Sequence, residues 1–264
     1  MRAASTAVVP AALALTACGG GSGGALSLDP IARAADKTVK KESVKVDTTM
    51  SGGGISGRGT GVFDNDPTGA GEFSMDLTYE GRSVHMDAVL LHNVIYLKSP
   101  IFHTDPTFPS DKDWLKLDFG KLARVKGTPI PHFENFASPK SGLAFLRAAK
   151  GSAKKLGTET VRGLETTHYS ASVDLQSAAE RTRGDTAKGL RSLRQLLGTR
   201  TVRADVWIDH EGLVRKETYP QLLGVGGPVV TITDELYNFG PRVPISAPPA
   251  NKVLDGTKVA ASGG

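Results

Sequence analysis

The most distinctive chemistry in this 264-residue chain belongs to Cys18, its only cysteine. The thiol follows Leu15-Thr16-Ala17 and precedes the run Gly19-Gly20-Gly21-Ser22-Gly23-Gly24. A leucine and two small residues ahead of a cysteine suit a peptidase that takes the chain in extended form beside a membrane. Arg2 and the apolar run Ala3 to Leu15 supply the charged and apolar parts of an export signal. That run, about thirteen residues, falls short of the roughly twenty needed to span a bilayer. The sequence therefore predicts a signal peptide over residues 1–17, a Gly/Ser-rich tether over 18–30 and a single domain over 31–264. The competing reading of Cys18 is a cysteine that falls by chance beside an ordinary secretory cleavage site.

Other chemistry-bearing residues do not converge. The six histidines are His85, His92, His103, His132, His168 and His210. No pair has the helical spacing of metal ligands, and Asp209-His210-Glu211 reads as a solvated turn. Gly52, Gly54 and Gly57 match a dinucleotide-binding glycine pattern formally, but they join two strands and open no helix. Asp64, Asp66 and Gly69 fall at calcium-loop offsets, yet Met75 stands where a bidentate glutamate belongs. No Gly-x-Ser-x-Gly match stands between a predicted strand and a predicted helix, as a nucleophile elbow needs. The sequence thus predicts no catalytic residues, no metal site, no cofactor and no enzyme activity.

With 32 basic and 27 acidic residues, removal of one arginine with the signal leaves a formal charge of +4 from Cys18 onward. The charges are dispersed, which argues against nucleic acid as a partner. With one cysteine there is no internal disulfide, so the fold must rest on its own core.

The elements follow from periodicity. Ile31, Ala34, Ala35 and Val39 recur at helical spacing. From Ser43 the period becomes two, and turns at Ser51–Gly54, Asp64–Gly69, Glu80-Gly81 and His92-Asn93 divide a meander of strands. Ser99 to Ser110 reads as a loop and Trp114 to Phe119 as a strand. Gly120 to Pro139 reads as an irregular connection and Ser141 to Lys150 as a helix. A hairpin turning near Glu165 follows, then a helical turn at Gln176 to Arg183 broken at Gly184-Asp185. Leu190, Leu193, Leu196 and Leu197 mark a helix stopped by Gly198. Strands over Val202–Ile208, Leu213–Tyr219 and Val229–Phe239 lead into an extended proline-rich tail. This pattern predicts an α+β fold, a strongly curved antiparallel sheet with helices on one face.

Leu15-Thr16-Ala17-Cys18 resembles a bacterial lipoprotein lipobox. The order of later motifs carries a second resemblance. Val94-Ile95-Tyr96-Leu97-Lys98 precedes Trp114-Leu115-Lys116-Leu117-Asp118; Val206-Trp207-Ile208-Asp209 precedes Gly212-Leu213-Val214-Arg215-Lys216; and Tyr237-Asn238-Phe239-Gly240 leads into the prolines. Together these resemble the actinobacterial LppX/LprG-type lipoproteins, relatives in shape of the LolA and LolB carriers. The resemblance implies a half-open barrel with helices across the concave face. It implies lipidation of Cys18 with a diacylglyceryl thioether, and a lipid-anchored position on the outer face of the cell membrane. It also implies an apolar cavity that carries a lipid or lipoglycan. The inward residues Phe73, Met75, Leu77, Tyr79, Met86, Leu90, Val206 and Ile208 are the candidate lining, with ordinary core as the other reading of each. Arg147, Lys150, Lys154 and Lys155 cluster on and after the short helix, where a solvated helix end is the favoured reading and contact with an anionic head group the other. The alternative function is an envelope sensor or scaffold of the same fold, with a filled core and an envelope protein as partner.

Overall fold

The computed structural model describes residues 26–27, 29–64, 69–126, 140–148, 151–223 and 227–257. Cys18, Lys150 and the tail from 258 onward lie outside them. Alternation forms the first half of the sheet: β2 (Ser43–Gly52), β3 (Ile55–Asp64), β4 (Gly71–Tyr79), β5 (Arg82–Leu91), β6 (Val94–Lys98) and β7 (Trp114–Asp118). Glu80 and Gly81, at φ 50° and 75°, take the left-handed backbone that a two-residue hairpin needs. The second half is β8 (Gly151–Val161), β9 (Leu164–Asp174), β10 (Thr201–Asp209), β11 (Val214–Leu222) and β12 (Val229–Gly240). Short strands β1 (Leu26–Ser27) and β13 (Val253–Asp255) complete it.

The order is β1-β8-β9-β10-β11-β12-β2-β3-β4-β5-β6-β7-β13. The last long strand pairs with the first, β12 with β2, which closes the two halves into one bowl. The edges β1 and β13 are not joined, so the barrel stays open. Every pairing is antiparallel except β13 with β7. Gly57, Gly59 and Gly61 of β3 face inward, and Phe73 fills the space left at Gly59 and Gly61. A Cβ on Gly59 would stand 2.6 Å from Phe73 Cζ and 2.7 Å from the Ser74 carbonyl. Glycine here lets a neighbouring side chain lie flat on the backbone.

Among the described residues, helices α1 (Asp29–Val39), α3 (Lys140–Ala148), α4 (Leu175–Arg181) and α5 (Gly184–Leu197) cover part of the inner face, and α2 (Phe119–Lys126) lies beside β6. Ile31, Ala34 and Ala35 of α1, Leu143 and Leu146 of α3, and Leu190 and Leu193 of α5 meet Val44, Val46, Phe63, Val173 and Val206 in one core. Full burial stabilises each large side chain by about 1.5–3 kcal/mol, so this inward stripe is what holds the helices down. Thr38 adds a polar tie: its hydroxyl donates to the Ala34 carbonyl and accepts from the Val214 amide. Asp174 caps α4 by accepting from the Ser177 amide, and Gly198 ends α5 at φ 62°. A second cluster packs Ala88, Leu90 and Ile95 against Leu97, Leu117 and Phe119.

The curved sheet with helices on its concave face matches the expected fold, with five local differences. Part of the expected irregular stretch after Gly120 is α2. The expected tether ends early, since Leu26 and Ser27 pair with β8. The late hairpin turns at Arg162-Gly163, with Arg162 at φ 50°, not near Glu165. Gly184 opens α5 and does not merely break the helix before it. The tail runs extended and then returns to the sheet as β13.

Candidate functional site

The inner face divides into a covered half and an open rim. Phe73, Met75, Leu90, Val206 and Ile208 are all buried, Val206 completely. Of these, Phe73, Met75, Val206 and Ile208 belong to the core beneath the helices, and Leu90 to the smaller cluster. Leu77 and Met86 are only half-buried. Tyr79 is 54% exposed at the end of β4 and is not a core residue. The strand ends that carry these three also bring Met50, Ile55, Val84, Leu222, Leu223 and Val229 to the same rim, each half-buried. Register fixes the arrangement: Met50 pairs with Gly57 and Ile232, Leu77 with Gly57 and Val84, and Met75 with Met86. Because Gly57 has no side chain, Leu77 and Met50 close over it. The result is an apolar lip at the hairpin tips, with adaptable methionines on it.

The lip borders an unexpected acidic core. Glu217 of β11 and Asp234 of β12 are Cα partners, and both point inward. Thr48 donates to Asp234 Oδ1 at 2.6 Å, and the Tyr219 hydroxyl donates to Oδ2 at 3.3 Å. Glu217 is fully buried, and neither carboxyl oxygen has a hydrogen-bond partner. Burial pushes the Asp234 carboxyl up to about 6, against the two hydrogen bonds that favour its charge. Burial, and then the Asp234 carboxylate, push Glu217 well above the usual range. Burial thus favours the protonated form of Glu217. Helix α3 sits directly on this group: a Cβ on Gly142 would overlap Glu217 Oε1, and Phe145 stacks on Tyr219 at 6.2 Å.

Two hollows of about 650 and 520 Å³ lie on the outer face of the sheet. On that face His85 Nδ1 meets Asp76 at 2.7 Å, and His85 Nε2 lies 3.4 Å from Ser74 Oγ. The trio has the outline of a nucleophile, base and orienting acid. Its chemistry is wrong for that task. Asp76, and then Asp87, hold the imidazole above its ordinary value, favouring the imidazolium, which cannot take a serine proton. The Ser74 hydroxyl instead donates to Asp87 at 2.9 Å. Among the described residues, no group of three or more histidine, cysteine or acidic side chains could hold a metal ion. No helix there is long and apolar enough to cross a membrane.

The expected cationic cluster is not assembled as a helix end. Arg147 pairs with Asp36 of α1, Lys154 and Lys155 lie on β8, and Lys150 is outside the described residues. Asp234 could have been found, because Val230, Ile232 and Leu236 set an inward phase on which it falls. Glu217 had no such signal. A bulge places Arg215 as an extra residue between Val214 and Lys216, which brings residue 217 to the inner face.

The fold has known counterparts. The structure of LprF from Mycobacterium bovis superposes with a TM-score of 0.51 at 14% identity, over 85% of this chain and 99% of that one. The Mycobacterium tuberculosis lipoprotein LppX gives a TM-score of 0.49 at 17% identity, over 83% and 97%. An uncharacterized 31.2 kDa protein in the rplA-rplJ intergenic region of Streptomyces griseus is 29% identical over 160 residues, 58% of this chain. The chain spans about half, 51%, of that curated relative. No protein family model matches the chain.

Proposed function

We propose, from the premise that this chain has the LprF fold, that it is an exported lipoprotein that binds an acyl chain at the open rim of its bowl. The observation that carries this reading is the contiguous apolar lip of Met50, Leu77, Val84 and Met86, half-exposed beside a fully packed core. At about 25 cal/mol per Å², covering such a lip with hydrocarbon is favourable and needs no fixed polar partner. Lipidation of Cys18 would hold the bowl at the outer surface of the cell membrane, with the glycine run as a flexible tether. The ligand is a lipid or a lipoglycan, and the protein carries or presents it without chemical change.

The packed half favours a second reading. Leu143, Leu175, Val173 and Val206 leave no exposed surface there. A module of this fold with a filled interior would act as an envelope sensor or scaffold. Uptake of a fluorescent fatty acid by the full-length chain separates the two. The carrier reading predicts saturable binding, weakened about tenfold or more by Met86→Glu, which places a charge on the lip. Absence of binding, or binding indifferent to that charge, favours the module. For the anchor, Cys18→Ala is expected to move the protein from the membrane to the soluble fraction of fractionated cells; unchanged membrane retention would refute lipidation.

A further inference from the structure

The larger outer-face hollow lies across the strands, on the opposite face of the sheet from the lip. Its floor runs from Tyr237 on β12, past Lys45 on β2, Glu72 and Ser74 on β4 and Asp87 on β5, to Trp114 on β7. One wall is the extended strap Ser246 to Pro249. Six strand spacings of about 4.8 Å separate the two aromatic ends, so the path is roughly 29 Å long. The floor's backbone groups are already paired in the ladder. A ligand must therefore be read by side chains, and strand addition is closed to it.

We infer that this groove is a binding site for a neutral saccharide. Three features converge. First, Glu72 and Asp87 stand against Lys45 on the floor, with Lys98 and Arg162 at the ends, so the groove carries no strong field of either sign and favours an uncharged ligand. Second, Ser74 is the Cα partner of Asp87 and Glu72 lies two residues along β4, so the carboxylates and the hydroxyl cluster on mid-floor and can accept from or donate to sugar hydroxyls. Asp87 is positioned in advance: Oδ1 accepts from Ser74 at 2.9 Å and lies 3.2 Å from His85 Nε2. Third, an aromatic ring stands at each end, with an apolar face of the kind a sugar's C–H face covers. Lys98 lies 5.8 Å over the Trp114 ring, and Arg162 covers one face of Tyr237 at 3.7 Å, which holds the ring in place. A proline-rich peptide would want neighbouring aromatic ridges; here the rings stand at opposite ends of the groove, with Val62, Val89 and the polar cluster between them. The saccharide is either a free envelope glycan or the head of a glycolipid.

Titration of the full-length chain with short neutral oligosaccharides (gluco-, manno-, arabino- and N-acetylglucosamine series) tests the assignment, read by tryptophan emission. Trp114 is the reporter, since the other tryptophan, Trp207, is 8% exposed and stacked on His168 at 4.1 Å. At least one series is expected to bind saturably below roughly 10 mM. Asp87→Asn and Glu72→Gln should each weaken it by about tenfold, measured by calorimetry. Glu72 lies apart from the Ser74–His85 network, so its variant reports on the groove even if Asp87→Asn disturbs the network. Vesicles bearing a glycolipid form the second arm: groove-dependent binding there as well identifies a glycolipid head, and binding of free sugar alone a free glycan. No binding in either arm overturns the proposal. So does binding that ignores both substitutions, or capture of a proline-rich decapeptide in place of sugar.

Discussion

Raising the pH from about 5 to 8 is expected to lower the thermal stability of this protein, with the Glu217–Asp234 pair as the cause. Asp234 titrates at about 6 in the folded bowl against a reference of 3.8. Between those values the folded state keeps a proton that the unfolded chain has released, so stability falls as pH rises. The contribution is fully present below the unfolded value and is gone above the folded one. Glu217 is also raised, by burial first and then by the Asp234 carboxylate, and contributes a loss of the same sign. For Asp234 alone the part of this span above pH 5 is worth about 1.4 kcal/mol, enough to shift the melting temperature by a few degrees. His85, raised mainly by its hydrogen bond to Asp76, adds a loss of the same sign above its ordinary value. Asp105, Asp174 and Asp255 are lowered by hydrogen bonds, so their stabilisation is lost only in acid, in a separate window. Melting curves across the range check the direction. Glu217→Gln should flatten the upper part of the profile, because an amide cannot ionise. A wild-type profile that rises from pH 5 to 8 would show that the pair is not buried together.

The second large effect belongs to Gly142. Alanine there would place a methyl group against Glu217 Oε1 and 2.5 Å from Tyr219 Cε1. Both neighbours are buried and rest on the sheet, so α3 must lift or the acid must turn. Overpacking of this kind costs about 1–3 kcal/mol, more than the gain of up to roughly 1 kcal/mol from replacing a helical glycine. Denaturant unfolding of Gly142→Ala is therefore expected to show a net loss. Glu217→Ala in the same chain opens the space, and the double variant should recover most of the clash. Strict additivity of the two substitutions would mean that α3 does not rest on Glu217.

The parts of the fold legible in the sequence are those with one buried face. Val44, Val46 and Phe63, and Phe73, Met75 and Leu77, alternate because every second residue meets the core. The turn at Glu80-Gly81 is legible because few residues tolerate positive φ. Strand β8 was not legible over its first half. It lies near an edge, and Ser152, Lys154, Lys155, Thr158 and Thr160 are exposed together, leaving no period to read. Strand β13 is three residues long and pairs across the chain with β7, which no local pattern records. The candidate site was legible in part. Leu77 and Met86 stand on the lip, but inward direction alone could not separate them from Val206 and Ile208, which the helices cover. Alternation reports that a residue is buried and is silent on what buries it. Glu217 was hidden by the bulge at Arg215, whose guanidinium is drawn to Asp209 and lies 4.9 Å over Phe239.

If the bowl takes an acyl chain, its buried half leaves the lip of Leu77, Met50 and Met86 as the place of entry. The acidic core beneath α3 then lies next to the path that an acyl chain would follow. Native mass spectrometry of the protein purified from its own cells without detergent tests this account most directly. The account predicts a bound mass in the range of a lipid or lipoglycan, displaced by added fatty acid and absent from Met86→Glu. A single unliganded mass that takes up no fatty acid would contradict it.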